Sequence, residues 1–260
     1  EKKRLGLCSK TMIVVPNHLT EQIGSELLTL YPNANILVAA KRDFEKDRRK
    51  LFCSRIATGN YDIVILGHSQ FTRLPLSDER QQQFLRDEIE QFTEVINAAK
   101  KERTGQELSV KQLERAKKSL ESRLEKLMDA PKDDAVTFEE LGVDSLMVDE
   151  AHQFKNLAVQ TKMQNVSGIT TAESRKATDL LMKCQYLDEI TDGKGVVFCT
   201  GTPISNSAAE LYTMMRYIQA DTLREHGLYA FDAWAANFGE TVSAMELAPE
   251  GTGYRMKTRF

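Results

Sequence analysis

The 260-residue chain carries a formal net charge of −3, is 41% hydrophobic and 28% charged, and is long enough for one large or two small domains. It contains no run of eighteen apolar residues, so the sequence predicts no membrane span, and the net charge gives no overall signature of a nucleic-acid-binding protein. The four cysteines form no Cys-x-x-Cys pair, which argues against a zinc site and a disulfide framework and favours a reducing, cytoplasmic location.

Apolar runs alternate with amphipathic segments at the beginning of the chain. The runs TMIVV (11–15), NILVA (35–39) and YDIVILG (61–67) are typical of short buried strands. Residues 18–31 and 43–57, which lie between these runs, have the spacing of helices. Strands this apolar that alternate with helices favour a parallel sheet covered on both faces.

Residues 77–135 interrupt this alternation. Apolar residues recur there at intervals of three and four, which predicts two amphipathic helices joined by a turn at Thr104-Gly105. The simplest interpretation is an antiparallel helical hairpin inserted into the α/β domain. A rigid decoration or an interaction arm is favoured over a catalytic role for this insertion.

The alternation of strands and helices resumes after the insertion. SLMVDE (145–150) and GVVFCTG (195–201) have the pattern of strands, and residues 173–190 and 205–218 have that of helices. The segment that follows is predicted to be helical and carries the single tryptophan, Trp234. We therefore divide the chain into a first part of the α/β domain, the insertion, a second part of the α/β domain and the start of a linker: 1–76, 77–135, 136–240 and 241–260.

Two adjacent carboxylates follow the apolar run in VDEAHQFKN (148–156). Asp149 and Glu150 are therefore predicted at the carboxyl end of a strand, where ligands bind in open α/β sheets. One carboxylate can hold Mg²⁺ while the other polarises a water for in-line displacement at a γ-phosphate. The alternative is a strand-to-helix junction at which acids favour the helix N-terminus. The apolar strand before the pair and the QFKN after it favour the catalytic interpretation.

A second motif, VVFCTGTPISN (196–206), ends another predicted strand. Its Thr200-Gly201-Thr202 segment offers hydroxyls and a glycine that can sense a phosphate. The alternative, which is equally compatible with these residues alone, is an ordinary strand–turn–helix with Ser205 as the N-cap.

Two further strand ends carry polar residues. VVPNHLTEQ (14–22) places a Pro16-Asn17 turn before a helix, and backbone N–H groups at a helix N-terminus suit a nucleic-acid phosphate. IVILGHSQF (63–71) places His68-Ser69 at another strand end. Taken alone, either motif is explained better by ordinary turn chemistry.

The four motifs, in this order, resemble the first ATPase lobe of superfamily 2 helicases. The resemblance is greatest to Swi/Snf-type translocases, whose magnesium motif often reads DEAH followed by KN and whose third motif reads TGTP followed by N. It covers residues 11 to about 240 apart from the helical insertion. The chain is also similar to the helicase part of large bacterial and phage proteins that join such a motor to an adenine DNA methyltransferase, although it contains no Asn-Pro-Pro-Tyr methyltransferase motif.

The resemblance implies a RecA-like lobe that binds ATP and Mg²⁺ in the complete protein. It implies that Asp149 binds Mg²⁺ and that Glu150 is the catalytic base. It also implies that His152 and Gln153 couple this motif to the Thr200-Gly201-Thr202 segment. The other residues it implies are Lys155 and Asn156 in the magnesium-motif loop, and Pro16, Asn17, His68 and Ser69 along the nucleic-acid track.

The sequence departs from this family pattern in one large respect. The family needs a GxxxxGK[ST] loop before the first strand, whereas the single Gly-Lys pair here is Gly193-Lys194 without a glycine five residues before it. We therefore expect that the P-loop strand precedes Glu1, that a second RecA-like lobe follows, and that the isolated chain is inactive. The complete protein is expected to hydrolyse ATP and to move on duplex DNA.

Two other functions compete with this interpretation. One is a non-catalytic scaffold that binds nucleic acid or protein and is built on a degenerate helicase lobe. The intact Asp149-Glu150 pair favours the motor, because a scaffold needs neither carboxylate. The other is an unrelated magnesium-dependent hydrolase, which requires further carboxylates clustered at strand ends, and the sequence shows none.

Overall fold

The computed structural model describes residues 2–45, 48–101, 107–129, 136–161, 163, 166–169, 174–247 and 253–260. The chain divides into two compact units, and each is described by itself. Unit 1 comprises Glu1–Gln81, Pro131–Phe154 and Asp179–Gly201, and unit 2 comprises Gln82–Ala130, Lys155–Thr178 and Thr202–Phe260. None of the described helices combines the length and the apolar character needed to cross a membrane.

The strands and helices follow each other as the apolar runs predict. The strands are β1 (Thr11–Val15), β2 (Ile36–Val38), β3 (Ile63–Gly67), β4 (Ser145–Asp149), β5 (Val166–Ser167), β6 (Val196–Cys199), β7 (Val242–Leu247) and β8 (Tyr254–Arg259). The helices are α1 (Thr20–Leu30), α2 (Arg49–Thr58), α3 (His68–Phe71), α4 (Asp78–Lys101), α5 (Glu107–Asp129), α6 (Arg175–Thr191), α7 (Ala209–Ile218), α8 (Ala220–Glu225) and α9 (Phe231–Phe238). Short 3₁₀ helices span Lys41–Phe44, Glu139–Leu141 and Ala151–Phe154.

Unit 1 is built on a five-stranded sheet in the order β2-β3-β1-β4-β6, in which every pair is parallel. The predicted fold class, an α/β protein with a RecA-like parallel sheet flanked by helices, is therefore confirmed. One face of the sheet is fully buried across its three central strands, where the side chains on that face have no measurable exposure. These side chains are Met12, Val14, Val64, Leu66, Leu146 and Val148.

The opposite face of the sheet, called the α1 face here, is covered unevenly. The strand register aligns Ile65, Ile13, Met147 and Val197 in one row across four strands. Helix α1 lies close to Val38 of β2 and to Ile65 of β3, because Gly24 has no Cβ, which would clash with Val38. Ile65 is buried, Ile13 and Met147 are half-buried, and Val197 is 37% exposed. Cover over this face therefore decreases from β3 towards β6, the strand at the end of the sheet.

Two predicted helices begin later than their spacing indicates. In the 43–57 segment the chain first forms the 3₁₀ helix Lys41–Phe44, in which the Asp43 carboxylate accepts a hydrogen bond of 2.8 Å from the Ala40 backbone N–H. In the 205–218 segment the Glu210 carboxylate accepts hydrogen bonds from the backbone N–H groups of Ser205 and Asn206, which keeps both residues outside α7. The N-cap of α7 is Ala208, so Ser205 is not the N-cap that the ordinary strand–turn–helix alternative predicts.

Unit 2 has an aromatic core formed by Tyr212, Phe231 and Trp234, and Phe260 packs against it. Strands β5, β8 and β7 form a small mixed sheet within the segments of this unit. The sequence analysis assigned 241–260 to the start of a linker and did not predict β7 and β8. Whether a second lobe follows stays a prediction.

Helices α4 and α5 occupy most of the predicted insertion, and its Thr104-Gly105 turn lies outside the described residues. Within unit 2, Glu88 of α4 accepts a hydrogen bond of 3.3 Å from Arg216 of α7, whose side chain is only 5% exposed. Tyr229 also contacts this guanidinium through its hydroxyl, at 3.3 Å. Helix α4 thus supplies the counter-charge of a buried arginine.

Candidate functional site

The predicted motifs of unit 1 meet at one edge of its sheet. Strands β3, β1, β4 and β6 are consecutive neighbours and all run in the same direction, so their carboxyl ends lie side by side. Open parallel sheets bind ligands at this edge. The residues that follow these strand ends are His68-Ser69, Pro16-Asn17, Glu150 and Thr200-Gly201.

The carboxylate turn, residues 149–154, begins at the last residue of β4. Asp149 is half-buried, and Glu150 adopts φ +51°, a left-handed conformation that is uncommon for a residue other than glycine. The 3₁₀ helix Ala151–Phe154 follows, and the Gln153 N–H donates a hydrogen bond of 3.0 Å to the Glu150 carbonyl. The turn is anchored in the core, since Phe154 has no measurable exposure.

His152 connects the Glu150 carboxylate to the end of β6. Its Nδ1 lies 3.0 Å from Glu150 Oε2 and 3.0 Å from Thr200 Oγ1. A carboxylate oxygen only accepts hydrogen bonds, so Nδ1 carries the hydrogen in the contact with Glu150. The Glu150 side chain is 42% exposed, so its carboxylate is both oriented by His152 and accessible to solvent.

His68 lies inside this site, because its ring contacts both ends of the carboxylate turn. Nε2 is 2.9 Å from the Asp149 carbonyl oxygen, and Nδ1 is 3.1 Å from Gln153 Oε1. The residue is 7% exposed, and its ring packs edge-on against Phe154 with the ring centroids 5.4 Å apart. The Gln153 side chain contacts His68, and its coupling to the Thr200-Gly201-Thr202 segment, which the resemblance implies, stays a prediction.

Asn17 and Ser69 form a second, exposed group at the ends of β1 and β3. Asn17 Oδ1 accepts hydrogen bonds from the Ser69 backbone N–H at 3.1 Å and from its hydroxyl at 3.0 Å. Gly67 permits this contact, since a Cβ at that position would clash with Asn17 Oδ1. Pro16 is half-buried beside them.

The remaining predicted residues, Thr202, Lys155 and Asn156, belong to unit 2. Lys155 donates hydrogen bonds to Ser205 Oγ and, at 2.9 Å, to Glu210 Oε1. Burial raises the pKa of Glu210, but hydrogen bonds from Ser205, Lys155 and Asn206 outweigh burial and hold that pKa below its ordinary value. Sequence reasoning missed Glu210, whose position in the first turn of α7 is typical of an ordinary helix start.

Sequence reasoning also missed Lys183 in α6, which reads as a solvated lysine. Its side chain is fully buried, and Nζ donates to Asp179 Oδ2 at 2.7 Å and to the Phe71 carbonyl at 3.0 Å. The ammonium lies 4.3 Å from the centroid of the Phe71 ring. Lys183 therefore holds the last residue of α3, the helix that begins with His68.

Within the described residues, no group of three or more His, Cys, Asp or Glu side chains could hold a metal ion. The four cysteines are free, and Cys199, the register partner of Asp149, is exposed.

Comparison with known proteins adds a family to this geometry. The model of a family described as "Probable helicase domain" matches residues 1–260. The chain is also similar to the Defense against restriction protein B of Escherichia phage P1, with 25% identity over 189 residues, which cover 72% of this chain. The matched region spans about 8% of the length of that phage protein. Because the family model covers the whole chain, the chain belongs to the probable helicase domain family.

Proposed function

We propose that the chain is part of an ATP-dependent nucleic-acid motor of the DEAH type, similar to Swi/Snf translocases, that hydrolyses ATP and moves on duplex DNA. The observation that carries the proposal is the arrangement of Asp149, Glu150, His152 and Thr200 at the carboxyl edge of a parallel sheet. In-line displacement at a γ-phosphate needs a metal ligand and a residue that orients the attacking water. The helicase family supports this class of reaction.

In the proposed mechanism Glu150 orients the attacking water and accepts its proton. Its carboxylate is 42% exposed, so a water can reach it, while His152 Nδ1 holds Oε2 at 3.0 Å. The other Glu150 oxygen is the one we propose as the base. Because the same His152 nitrogen lies 3.0 Å from Thr200 Oγ1, a phosphate that contacts Thr200 can alter the orientation of Glu150. Thr200 is therefore proposed to report the state of the nucleotide.

Asp149 is the proposed protein ligand of Mg²⁺. Magnesium in phosphoryl-transfer sites is held by one or two carboxylates, with the phosphates and water completing the coordination. A half-buried carboxylate at a strand end, without a larger cluster of ligands in the described ranges, fits that arrangement. When bound, the ion supplies positive charge that stabilises the phosphates during displacement.

We propose that a strand, a P-loop and a helix from a preceding segment complete the site beside β6. Strand-to-strand connections through a helix are right-handed. The connection from β1 to β2 runs away from β6 and places α1 over Ile65. A helix that leads from a strand beside β6 to β1 runs in the same direction, so the same rule puts it on the α1 face. That is the part of the face where Met147 is half-buried and Val197 is 37% exposed.

The proposed nucleic-acid contacts are Asn17 and Ser69, with Pro16 shaping the turn beside them. Their exposed hydrogen-bonding groups suit a phosphate backbone, which positions a motor without reading sequence. The phage relative is named for defence against restriction, a process that acts on DNA, and this favours DNA as the partner. We further propose that the complete protein contains a second RecA-like lobe and a DNA methyltransferase domain.

Two substitutions in a polypeptide extended to include the preceding segment test this function. Glu150→Gln should lower DNA-stimulated ATP turnover by about 10²–10⁴-fold, the usual contribution of a general base, with little change in nucleotide affinity. Asp149→Asn should instead weaken Mg²⁺-dependent nucleotide binding, because Mg²⁺ loses a charged oxygen ligand. Turnover and nucleotide affinity are measured on both variants, and His226→Ala, an exposed histidine of unit 2, is the control.

Two results would count against the motor. A Glu150→Gln variant that hydrolyses ATP at the parent rate would remove Glu150 from its role. An extended parent polypeptide that binds DNA but turns over no ATP would favour the non-catalytic scaffold.

A further inference from the structure

We propose that His68 is a positioning residue of the carboxylate turn, and that its ring faces the proposed metal and base residues rather than a nucleic-acid phosphate. The effect on turnover rests on the proposed function. The contact itself is a property of this chain and can be measured without ATP.

The hydrogen of the His68 ring is assigned by its acceptor. A carbonyl oxygen only accepts hydrogen bonds, so the 2.9 Å contact with the Asp149 carbonyl requires a hydrogen on His68 Nε2. This carbonyl belongs to the peptide between Asp149 and Glu150. It is therefore the group that precedes the left-handed φ of +51° at Glu150. The hydrogen bond from His68 therefore restrains the Asp149–Glu150 peptide, whose orientation sets the relative positions of the two carboxylates.

The second ring nitrogen holds the other end of the turn. His68 Nδ1 lies 3.1 Å from the Gln153 side-chain amide, whose oxygen and nitrogen can exchange places by rotation. The amide therefore completes this bond whether Nδ1 donates or accepts. Since Gln153 also donates its N–H to the Glu150 carbonyl, the ring spans the whole backbone loop that carries Glu150.

His68 is itself fixed from two sides. Its ring is 7% exposed and packs edge-on against Phe154, which anchors the turn in the core. The short helix that His68 begins ends at Phe71, whose carbonyl accepts a hydrogen bond from the buried Lys183. A ring held in this way can impose a geometry on the turn.

Ser69, the residue after His68, is exposed where His68 is buried, and it connects the His68 ring to the proposed nucleic-acid contacts. Ser69 is exposed and donates two hydrogen bonds to Asn17. A phosphate bound at Asn17 and Ser69 is thus one residue away, along the backbone, from the ring that holds the Asp149 carbonyl. We infer that nucleic-acid binding reaches the carboxylate turn through His68.

The first test identifies the hydrogen on the ring in this chain. Long-range ¹H–¹⁵N correlation spectra distinguish the two ring nitrogens, and the His68→Gln variant assigns the His68 signals among the four histidines. The proposal expects Nε2 to carry the hydrogen. A ring with its single hydrogen on Nδ1 would overturn it, because Nε2 could not then donate to the Asp149 carbonyl.

The second test measures the order of the turn by amide hydrogen exchange. His68→Ala should raise exchange in the peptide covering 150–154 at least about tenfold, because opening of the turn becomes easier when its holding bonds are lost. His68→Gln should restore part of the protection, since its amide can donate to the Asp149 carbonyl. Amides of β1 must stay protected in each variant, and His226→Ala is the matched control. Unchanged exchange at 150–154 in His68→Ala would overturn the proposal.

The third test separates positioning from phosphate binding in the extended polypeptide. The proposal expects His68→Ala to lower kcat at least about tenfold and to change the Kd for DNA less than twofold, with partial rescue of kcat by His68→Gln. Ser69→Ala should weaken DNA binding instead. A His68→Ala variant with weaker DNA binding and an unchanged kcat would make His68 a phosphate contact and overturn the proposal. If the parent itself turns over no ATP, the proposed function fails, while the spectra and the exchange rates still decide the role of His68.

Discussion

Removing the carboxylate of Asp179 should destabilise unit 1 strongly, because the buried ammonium of Lys183 loses the carboxylate that it contacts directly. Lys183 has no exposed side-chain surface, and its other contacts include the Phe71 carbonyl and the rings of Phe71 and Phe138. Breaking a buried ion pair by removing one partner costs about 3–5 kcal/mol. The Asp179 side chain is 20% exposed, so water weakens the pair, and we expect Asp179→Ala to cost about 3 kcal/mol. Against a typical domain stability of about 5–15 kcal/mol, this is a large loss.

The double variant Asp179→Leu/Lys183→Met provides the decisive comparison. Replacing both charges by apolar side chains of similar size removes the need to bury an unpaired charge, and such replacements are often neutral or stabilising by about 1–4 kcal/mol. The double variant should therefore recover most of the stability that Asp179→Ala loses. This result would show that the cost arises from the unpaired charge and not from lost packing.

The assay must follow the unfolding of unit 1, so tryptophan fluorescence is not a suitable probe. The single tryptophan, Trp234, lies in unit 2, so its fluorescence follows that unit. Amide exchange of β1 and β4, measured across a urea series, gives the free energy of unfolding of unit 1 directly. A loss below about 1 kcal/mol in Asp179→Ala, the range of exposed ion pairs, would refute the burial argument.

The pH dependence of the stability of unit 1 provides an independent check on the role of Asp179. Burial lowers the pKa of Lys183, and Asp179 opposes this effect. Without Asp179 the pKa of Lys183 should fall further. Between that lowered pKa and the ordinary value of 10.5, the unfolded chain binds more protons than the folded chain, so stability rises with pH in this window. The Asp179→Ala variant should therefore regain stability as the pH approaches 10.5, and a steady loss over that range would contradict the assignment.

Three further predictions follow from contacts described above. The pKa of Glu210 is held below its ordinary value of 4.5, so its stabilising contribution is present above pH 4.5 and is lost as the pH falls through the lowered pKa. Glu210→Gln should therefore reduce the loss of unit 2 stability at acid pH, which unfolding followed by Trp234 fluorescence measures. Gly67→Ala should displace Asn17 from Ser69 and weaken DNA binding in the extended polypeptide without loosening β3, which DNA titration and amide exchange would check. Replacing 77–135 with a short Gly/Ser linker should leave the β1 amides protected. It should destabilise unit 2 by about 3–5 kcal/mol, because the buried Arg216 loses its partner Glu88. An unchanged free energy of unfolding, followed by Trp234 fluorescence, would show that unit 2 does not need α4.

The sequence best predicts the strands whose side chains are buried. The strands of unit 1 were predicted within two residues because most side chains of β1, β3 and β4 are buried in a parallel sheet, where apolar runs are nearly continuous. Strands β7 and β8 were missed for the opposite reason. Their large apolar residues, such as Met245 and Met256, are 69% and 70% exposed, so no burial pattern marks them as strands.

The candidate site divides in the same way. The sequence places Asp149 and Glu150 at a strand end, since an apolar run precedes them directly. It could not reveal that His68 turns inward, because its partner Asp149 is 81 residues away in the chain. Nor could it reveal the burial of Lys183, whose acceptor at Phe71 lies 112 residues away. Contacts of this range depend on the finished sheet and leave no local pattern.

The pairing of β1 with β4 also governs how the chain must fold as it is synthesised. About 130 residues, including α4 and α5, separate the end of β1 at Val15 from the start of β4 at Ser145. At translation rates of about 5–20 residues per second, β1 waits about 7–26 s for this neighbour. During that interval β1 and β3 present an unfinished, strongly apolar sheet edge to the cell. Slowing translation after Ile65 should therefore increase the dependence of this chain on chaperones, whereas slowing it after Cys199 should not.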